Sequence, residues 1–296
     1  MEIKLAREMG FCFGVRKAIQ MVEKEAQGRG VNPNITTFGQ LVHNPVVVNH
    51  MAKLGVGNVD TRELDQVSSG TIAFTAHGVA PQVIEEARAR GLEVLDATCP
   101  LVTLIQQSAR DMVNQGYKVI VYGDQNHPEV KSIVGWAGKD TIATMDFNDI
   151  KDMRPPKRLG IVSQSTQILD HFKHFVVQVN EQFLGKTKEI KVHNTICAPT
   201  THLQSSAQEL AQECEVMVVI GGKKSANTAH LRDICEAEGA RTYKIEGPDE
   251  LEAAWFEGVQ TVGVTAGAST PDESIEAVVA RLKAFDLLRQ VQENKN

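Results

Sequence analysis

Three of the five cysteines lie in similar settings and could bind a metal together. Cys12, Cys99 and Cys197 each fall between a short apolar run and a predicted helix start. At a helix start the helix dipole favours the thiolate, which is the form of cysteine that binds metals. Cys214 and Cys235 instead lie on apolar helical stripes, a pattern typical of buried core thiols. The sequence therefore predicts a site with three thiolate ligands.

The spacing of these cysteines leaves the identity of the metal open. A closed structural zinc site needs a fourth ligand, and no cysteine pair has the CxxC spacing common in zinc sites. An iron–sulfur cluster bound by three cysteines leaves one iron free for a substrate, and soft thiolates suit it. An odd number of cysteines does not suggest a disulfide framework. From the cysteines alone, both zinc and an iron–sulfur cluster remain possible.

Polar side chains recur at regular distances from these cysteines. A glycine follows Cys99 and Cys197 by 24 positions in each case, and it follows Cys12 by 27. Four residues after each glycine comes a histidine or serine, and a further strand in each third of the chain ends on a polar residue. Imidazole and hydroxyl groups can donate hydrogen bonds to an anion. The residues placed in this way are His43, His77, His127, Ser165, Thr166, Ser225 and Ser269.

Two glycine-containing turns, GGKKSANT and TAGAST, are predicted to expose backbone N–H groups at helix starts. Such turns bind phosphate groups, and they contain Ser225, Asn227 and Ser269. Serine and asparagine also cap ordinary helices, so the residues alone do not separate the two roles. The role of Glu129, in the segment HPEV, is also undecided from the residues alone. It suits the first turn of a helix, and a carboxyl that faced a cavity would be a proton donor.

The elements that must position these residues form a repeated α/β pattern. Short β-branched runs alternate with helical stretches, which is typical of largely parallel sheets. The predicted strands are IKLA, ITTF, TIAFT, LEVLDA, KVIVY, TIATM, LGIVS, IKVHN, VMVVI, TYKI and TVGVT. The shared order of cysteine, glycine and polar strand end predicts three α/β modules. Their predicted bounds are residues 1–96, with an N-terminal strand able to pair with the third module, then 97–194 and 195–285, followed by a polar tail at 286–296.

This organisation predicts where a ligand would bind. In open parallel sheets, ligands bind beyond the carboxyl ends of the strands, where the listed polar residues fall. Three modules around a pseudo-threefold axis would bring three such sheet edges, and three cysteines, to one central cavity. We therefore expect an α/β fold with three repeated modules in a trefoil around a metal-cluster cavity.

Composition restricts the partners of the protein. The 296 residues are 42% hydrophobic and 23% charged, which is typical of a globular protein. A net charge of −6 disfavours a broad nucleic-acid-binding surface. No apolar run reaches the ~18 residues of a membrane span, and the N-terminal segment does not resemble a signal peptide. We expect a cytoplasmic protein that binds neither nucleic acid nor a membrane.

Several short segments follow one another along the chain: GFCFGVRKAI, LVHNPVVV, TAHGV, DATCPLVT, HPEV, SQST, KKSAN and GVTAGASTPD. Taken together and in this order, they resemble the 4-hydroxy-3-methylbut-2-enyl diphosphate reductases of the methylerythritol phosphate route to isoprenoids. The resemblance implies one [4Fe–4S] cluster per subunit with Cys12, Cys99 and Cys197 as its three ligands. It implies reductive dehydroxylation of the substrate to isopentenyl and dimethylallyl diphosphate.

The resemblance also implies roles for the polar residues. Glu129 would be the proton relay, and Thr166 would contact the substrate hydroxyl. The diphosphate would be bound among His43, His77, His127, Ser225, Asn227 and Ser269. Two positions depart from the family pattern, because Ser165 stands where threonine is common and Ala226 where serine is usual. Since no G-x-G-x-x-G nucleotide motif follows a strand, we expect an external donor such as ferredoxin or flavodoxin.

Three other functions remain as alternatives. A three-cysteine iron–sulfur dehydratase of the quinolinate synthase type would need a site for small carboxylates, and arginines at the strand tips that would favour one are not evident. A non-catalytic protein that binds a metal or a diphosphate would not reduce a substrate. A zinc hydrolase would use Glu129 as its base, and analysis of the metal would identify it.

Overall fold

The chain forms two compact units, each of which is built from parallel β-sheet and helices. A computed structural model describes residues 1–30 and 32–293. The first unit contains Met1–Phe13, His43–Asn49 and the chain from Ala198 onward, and the second contains Gly14–Val42 and His50–Cys197. Three four-stranded sheets are described, one in the first unit and two in the second.

All strand pairs in the three sheets are parallel. The strands that the structure describes are β1 Glu2–Leu5, β2 Ile35–Phe38, β3 Gly57–Val59, β4 Thr71–Phe74, β5 Glu93–Asp96, β6 Lys118–Tyr122, β7 Ile142–Thr144, β8 Arg158–Ser163, β9 Glu189–Val192, β10 Val216–Ile220, β11 Arg241–Ile245 and β12 Thr261–Ala266. The helices are α1 Phe13–Arg29, α2 Pro45–Lys53, α3 Pro81–Ala89, α4 Pro100–Asn114, α5 Pro128–Ala137, α6 Leu169–Phe183, α7 Ala198–Ala211, α8 Ala226–Ala237 and α9 Asp272–Glu293.

The three sheets share one strand order. In the second unit the orders are β3-β2-β4-β5 and β7-β6-β8-β9, and in the first unit the order is β1-β12-β10-β11. In each sheet, one edge strand is followed along the chain by one of the three cysteines. Cys12 follows β1, Cys99 follows β5 and Cys197 follows β9. In the first unit this edge strand is β1, which pairs with β12 so that Glu2 lies opposite Thr261. The N-terminal strand thus completes the sheet made by the last third of the chain.

The central strands are buried because apolar side chains cover both of their faces. Along β10, Val216, Val218 and Ile220 belong to one hydrophobic cluster. The alternate residues Met217 and Val219 pack in another cluster, with side chains of α7 and α8. All five residues have no exposed surface, as expected for a parallel strand between two helical layers. This burial fixes the sheet and leaves its carboxyl edge to carry polar groups.

The sequence-based prediction of three parallel α/β modules is confirmed by the sheets. Each predicted strand is present, with ends that differ by about one or two residues, as is usual for strand boundaries. The structure adds β3, whose sequence GNV lacks an apolar run and which is a strand through its pairing with β2. The residue bounds of the modules stay a prediction.

The C-terminal segment is helical as far as the structure describes it. Helix α9 continues to Glu293, into the predicted polar tail at 286–296, because neither glycine nor proline interrupts FDLLRQVQE. Residues 294–296 of that predicted tail lie outside the described residues. Of the helices that are described, none has the length and apolar character needed to cross a membrane.

Candidate active site

A helix begins directly after each of the three cysteines, as the sequence predicts. Cys99 is the N-cap of α4. The helices α1 and α7 begin at Phe13 and Ala198, immediately after Cys12 and Cys197. All three cysteines therefore lie at the positive end of a helix dipole.

The backbone of each cysteine is held by an equivalent hydrogen bond. In every case the cysteine N–H donates to the carbonyl of the residue two positions after a strand, which is β12 for Cys12, β4 for Cys99 and β8 for Cys197. The three bonds are Cys12 to Ala268 at 3.1 Å, Cys99 to Ala76 at 3.0 Å and Cys197 to Ser165 at 3.0 Å. This common setting shows that the three thiols occupy equivalent places at the carboxyl edges of their sheets.

The other two cysteines lie in the apolar core. Cys214 and Cys235 are buried, whereas the three equivalent cysteines are partly exposed, and none of the five is in a disulfide. Burial raises the pKa of the Cys235 thiol to about 12, and burial also raises the pKa of Cys214. Both therefore stay protonated and match the prediction that they are core thiols.

Space beside one of the candidate ligands depends on a glycine. Gly14 lies in the first turn of α1, against the side chain of Cys99. A Cβ atom added at Gly14 would lie 2.2 Å from Cys99 Sγ, far inside van der Waals contact. Any larger residue at this position would displace the sulfur, so the glycine keeps room around the thiol.

Glu129 is a buried acid whose carboxyl accepts two hydrogen bonds from Ser165. It lies in the first turn of α5 and is 2% exposed. Its Oε1 accepts the backbone N–H of Ser165 at 2.6 Å, and its Oε2 accepts the Ser165 hydroxyl at 2.8 Å. Burial raises the pKa of the Glu129 carboxyl, and the two hydrogen bonds from Ser165 offset part of this rise. The carboxyl therefore keeps a proton at higher pH than an exposed glutamate.

Two predicted site histidines lie beside this acid in the second unit. His127 is the N-cap of α5, and its Nδ1 accepts the backbone N–H of Glu129 at 3.2 Å. A neutral His127 must then carry its proton on Nε2, which can donate to a ligand. The ring of His77 meets His127 edge-on, with ring centres 5.4 Å apart. His77 Nδ1 is 3.2 Å from the hydroxyl of Thr75.

The hydroxyl of Thr166, which the resemblance implies would contact the substrate, lies beside the side chain of Gln164. Its hydroxyl accepts a hydrogen bond from Gln164 Nε2 at 3.3 Å. Gln164 is fully buried, and its Oε1 also accepts Gln167 Nε2 at 3.0 Å. The hydroxyl that contacts Glu129 belongs to Ser165, which was predicted at the same strand end but was given no role in the site by the family resemblance. The motif SQST offers two adjacent hydroxyls, and nothing in it indicates which one faces the acid.

The first unit holds the polar groups around the start of α8. The Ser225 side chain caps this helix by accepting the N–H of Thr228 at 3.2 Å. Asn227 is 5% exposed, and neither atom of its amide has a hydrogen-bond partner within the described chain. A buried polar group left unpaired costs about 1–3 kcal/mol, so this amide is suited to a ligand. Ser269 is also buried, in the turn after β12.

His43 lies against the same loop of the first unit. A Cβ atom added at Gly222 would lie 2.1 Å from the carbonyl oxygen of His43, so the two backbones are in close contact. Burial lowers the pKa of His43, and the charge of Lys224 lowers it further. Unlike His127 and Ser225, His43 precedes the capping residue, because Asn44 Oδ1 accepts the N–H of Val46 at 2.9 Å.

Parallel sheets that carry thiols, a buried acid and an unpaired amide at their carboxyl edges are typical of an α/β enzyme. A family model described as LytB protein matches residues 3–283 of the chain. The chain therefore belongs to the LytB family.

Several relatives with assigned names align with nearly the whole chain. A 4-hydroxy-3-methylbut-2-enyl diphosphate reductase from Dehalococcoides mccartyi is 42% identical over 283 residues, which cover 95% of this chain and 98% of the relative. A solved (E)-4-hydroxy-3-methyl-but-2-enyl diphosphate reductase, described as the terminal enzyme of the non-mevalonate pathway, is 36% identical, with a TM-score of 0.67 and coverage of 96% and 100%. The reductase structure from Plasmodium falciparum is 26% identical, with a TM-score of 0.86 and coverage of 97% and 87%.

Proposed function

We propose that this chain reduces 4-hydroxy-3-methylbut-2-enyl diphosphate to isopentenyl diphosphate and dimethylallyl diphosphate. The reaction replaces the C–OH bond of an allylic alcohol by C–H. It consumes two electrons and two protons and releases one water. The names of relatives that match nearly the full chain support this activity over the dehydratase, hydrolase and non-catalytic alternatives.

A [4Fe–4S] cluster bound by Cys12, Cys99 and Cys197, one per subunit, is the cofactor in this proposal. The observation that carries it is the equivalent setting of the three thiols, each with the same backbone hydrogen bond and the same helix start. Soft thiolates favour iron–sulfur clusters, and the contact of Gly14 with Cys99 Sγ preserves space at one of them. When bound, the cluster would supply electrons and one iron without a cysteine ligand.

Glu129 is proposed as the source of the proton that lets the hydroxyl leave as water. Because burial raises its pKa, the carboxyl keeps its proton to a higher pH than an exposed glutamate does, and it can release that proton to a hydrogen-bonded group. Ser165 is the better candidate for the relaying hydroxyl, because it contacts Glu129 Oε2 directly. Protonated Glu129 would donate to Ser165 Oγ, and the serine proton would then be free to move toward the substrate. Thr166 is proposed to contact the substrate beside it.

The diphosphate is proposed to bind to neutral hydrogen-bond donors. In the first unit these are His43, Ser225, Asn227 and Ser269, and the unpaired amide of Asn227 supports a ligand there. In the second unit they are His77 and His127, and a neutral His127 carries its proton on Nε2, because its Nδ1 accepts the N–H of Glu129. A helix start adds backbone N–H groups and a favourable dipole for a negative charge.

The electrons are proposed to come from a separate ferredoxin or flavodoxin. A reaction that adds two electrons needs such a donor, since no nucleotide-binding motif was found in the sequence. The cytoplasm is the proposed location, because a reducing compartment protects the thiols and the cluster.

The proposal is tested by one anaerobic preparation analysed for iron, sulfide and turnover with a reduced viologen dye. We expect a brown protein with about four irons per chain that reduces the allylic diphosphate. Cys99→Ala should lose iron, and the core variants Cys214→Ala and Cys235→Ala serve as matched controls that keep it. A colourless, zinc-loaded protein with full activity would overturn the cluster, and loss of iron in a core variant would overturn the ligand assignment.

A further inference from the structure

Two adjacent lysines precede α8, and their surroundings differ. Lys223 Nζ is 2.7 Å from Glu250 Oε1 and 3.9 Å from Glu246 Oε2, so carboxylates on one side neutralise its charge. Hydrogen bonding to Glu250 also raises the pKa of Lys223. Lys224 is exposed and has no ion-pair partner within the described part of the chain. One of the two charges is therefore left uncompensated.

The loop that carries Lys224 positions it at the start of α8. Lys224 directly precedes the capping residue Ser225, three positions before the buried, unpaired amide of Asn227. Gly222, two residues earlier, packs its backbone against the carbonyl of His43. Burial lowers the pKa of His43, and the positive charge of Lys224 lowers it further. Lys224 thus lies close to three candidate binding residues of the first unit.

We propose that Lys224 is an electrostatic guide residue that draws the diphosphate end of the substrate toward the start of α8. This inference takes the identity of the anion from the proposed function. Every other proposed diphosphate contact of the first unit is a neutral hydrogen-bond donor, so none of them attracts an anion over distance. An uncompensated ammonium does so, in a chain whose net charge of −6 would otherwise repel the ligand.

The charge of Lys224 has a second consequence for the site. Burial and the charge of Lys224 both favour a neutral His43, which is the form in which the ring is proposed to donate a hydrogen bond to the diphosphate. Lys224 and the buried hydrogen-bond donors therefore have different roles. Lys224 raises the local concentration of the anion, and the buried groups bind it. An exposed charge of this kind acts on association and is screened by salt.

Binding of inorganic pyrophosphate to the iron-loaded enzyme tests the inference without requiring turnover. Calorimetry would compare wild type with Lys224→Gln at low and high ionic strength. We expect Lys224→Gln to weaken binding about three- to tenfold at low ionic strength and less than about twofold at high ionic strength. Lys224→Arg should bind as wild type does. Lys223→Gln is the matched control, because it removes an adjacent lysine that is already paired, and it should bind within about twofold of wild type.

Kinetics with the allylic diphosphate separates guiding from a structural effect. Lys224→Gln should lower kcat/KM by the same factor as pyrophosphate binding and leave kcat unchanged. Unaltered binding in Lys224→Gln, an equal loss in Lys223→Gln, or a fall in kcat would each overturn the inference. If wild type binds pyrophosphate in a Lys224-dependent way but reduces no substrate, the proposed function fails and the guide role stands. If wild type reduces the substrate and Lys224→Gln binds and reacts as wild type does, the guide role fails and the proposed function stands.

Discussion

Ser165 donates both its backbone N–H and its hydroxyl to the Glu129 carboxylate, one to each oxygen. The same serine accepts the N–H of Cys197 at its carbonyl oxygen. One residue therefore joins the buried acid to the backbone of a candidate cluster ligand. A change at Ser165 or Glu129 is expected to affect proton supply first, because the cysteine is held through the main chain.

Replacing the buried acid by its amide tests the proton donor. Glu129→Gln keeps the shape of the side chain and can still accept the Ser165 N–H, but it has no proton to release. We expect turnover to fall by about 10²- to 10⁴-fold with iron content and substrate binding retained. Single-turnover kinetics with the reduced enzyme measures this step. Turnover equal to wild type would assign Glu129 a purely structural role.

The hydroxyls of Ser165 and Thr166, which are adjacent in the SQST motif, can be removed one at a time to find which of them relays the proton. Ser165→Ala removes the hydroxyl that contacts Glu129, whereas Thr166→Ala removes the neighbouring one that accepts from Gln164. We expect the larger loss of kcat in Ser165→Ala, by about 10-fold or more relative to Thr166→Ala. Ser165→Thr should restore activity, since it returns a hydroxyl to the same place. A larger loss of kcat in Thr166→Ala would make Thr166 the relay.

The raised pKa of Glu129 predicts how stability depends on pH. An unfolded glutamate titrates near 4.3, and burial raises the folded value, so between these two pH values the folded state holds the extra proton. Stability from this group is fully present below the unfolded pKa and is lost as pH rises through the folded pKa. Wild type should therefore lose stability relative to Glu129→Gln as pH increases from about 4 to 8.

Thermal unfolding of both proteins across this pH range measures the difference. Glu85→Gln is a suitable control, because Glu85 is exposed on α3 and its substitution should leave the pH dependence unchanged. If wild type instead gains stability relative to Glu129→Gln as the pH rises, the sign is wrong, and a buried acid with a raised pKa is excluded.

Two glycines of α1 allow a direct test of the room beside Cys99. Gly14→Ala would place a methyl group 2.2 Å from Cys99 Sγ, so the sulfur must move, and we expect reduced iron content and activity. Gly28 lies in the same helix and has nothing within 4 Å of an added Cβ. Gly28→Ala should keep full iron and stabilise the protein by up to about 1 kcal/mol, because alanine favours a helix. Equal iron in both variants contradicts the packing role of Gly14.

Sequence patterns predicted the main features of the fold for a physical reason. Parallel strands buried on both faces must be continuously apolar, as in VMVVI of β10, and such runs are visible without a structure. Helix starts were equally accessible, because Pro100 follows Cys99 and proline suits the first turn. The cysteine spacing then marked equivalent places in three sheets.

Contacts between residues distant in sequence could not be predicted in this way. The choice between Ser165 and Thr166 depends on which hydroxyl faces α5, and the motif leaves this undecided. The role of Gly14 depends on a sulfur that lies in another part of the chain. The strand β3 depends on its pairing with β2 rather than on its own composition.

The pairing of β1 with β12 has a consequence for synthesis of the protein. On the ribosome, Glu2 emerges long before its partner Thr261, so β1 has no sheet to join until translation is nearly complete. Cys12 follows β1, and its N–H is bonded to Ala268, so this thiol gains its final position at the same late stage. Cys99 and Cys197 are bonded to residues that precede them and can be arranged earlier. Loading of a cluster on all three cysteines would therefore be a post-translational event.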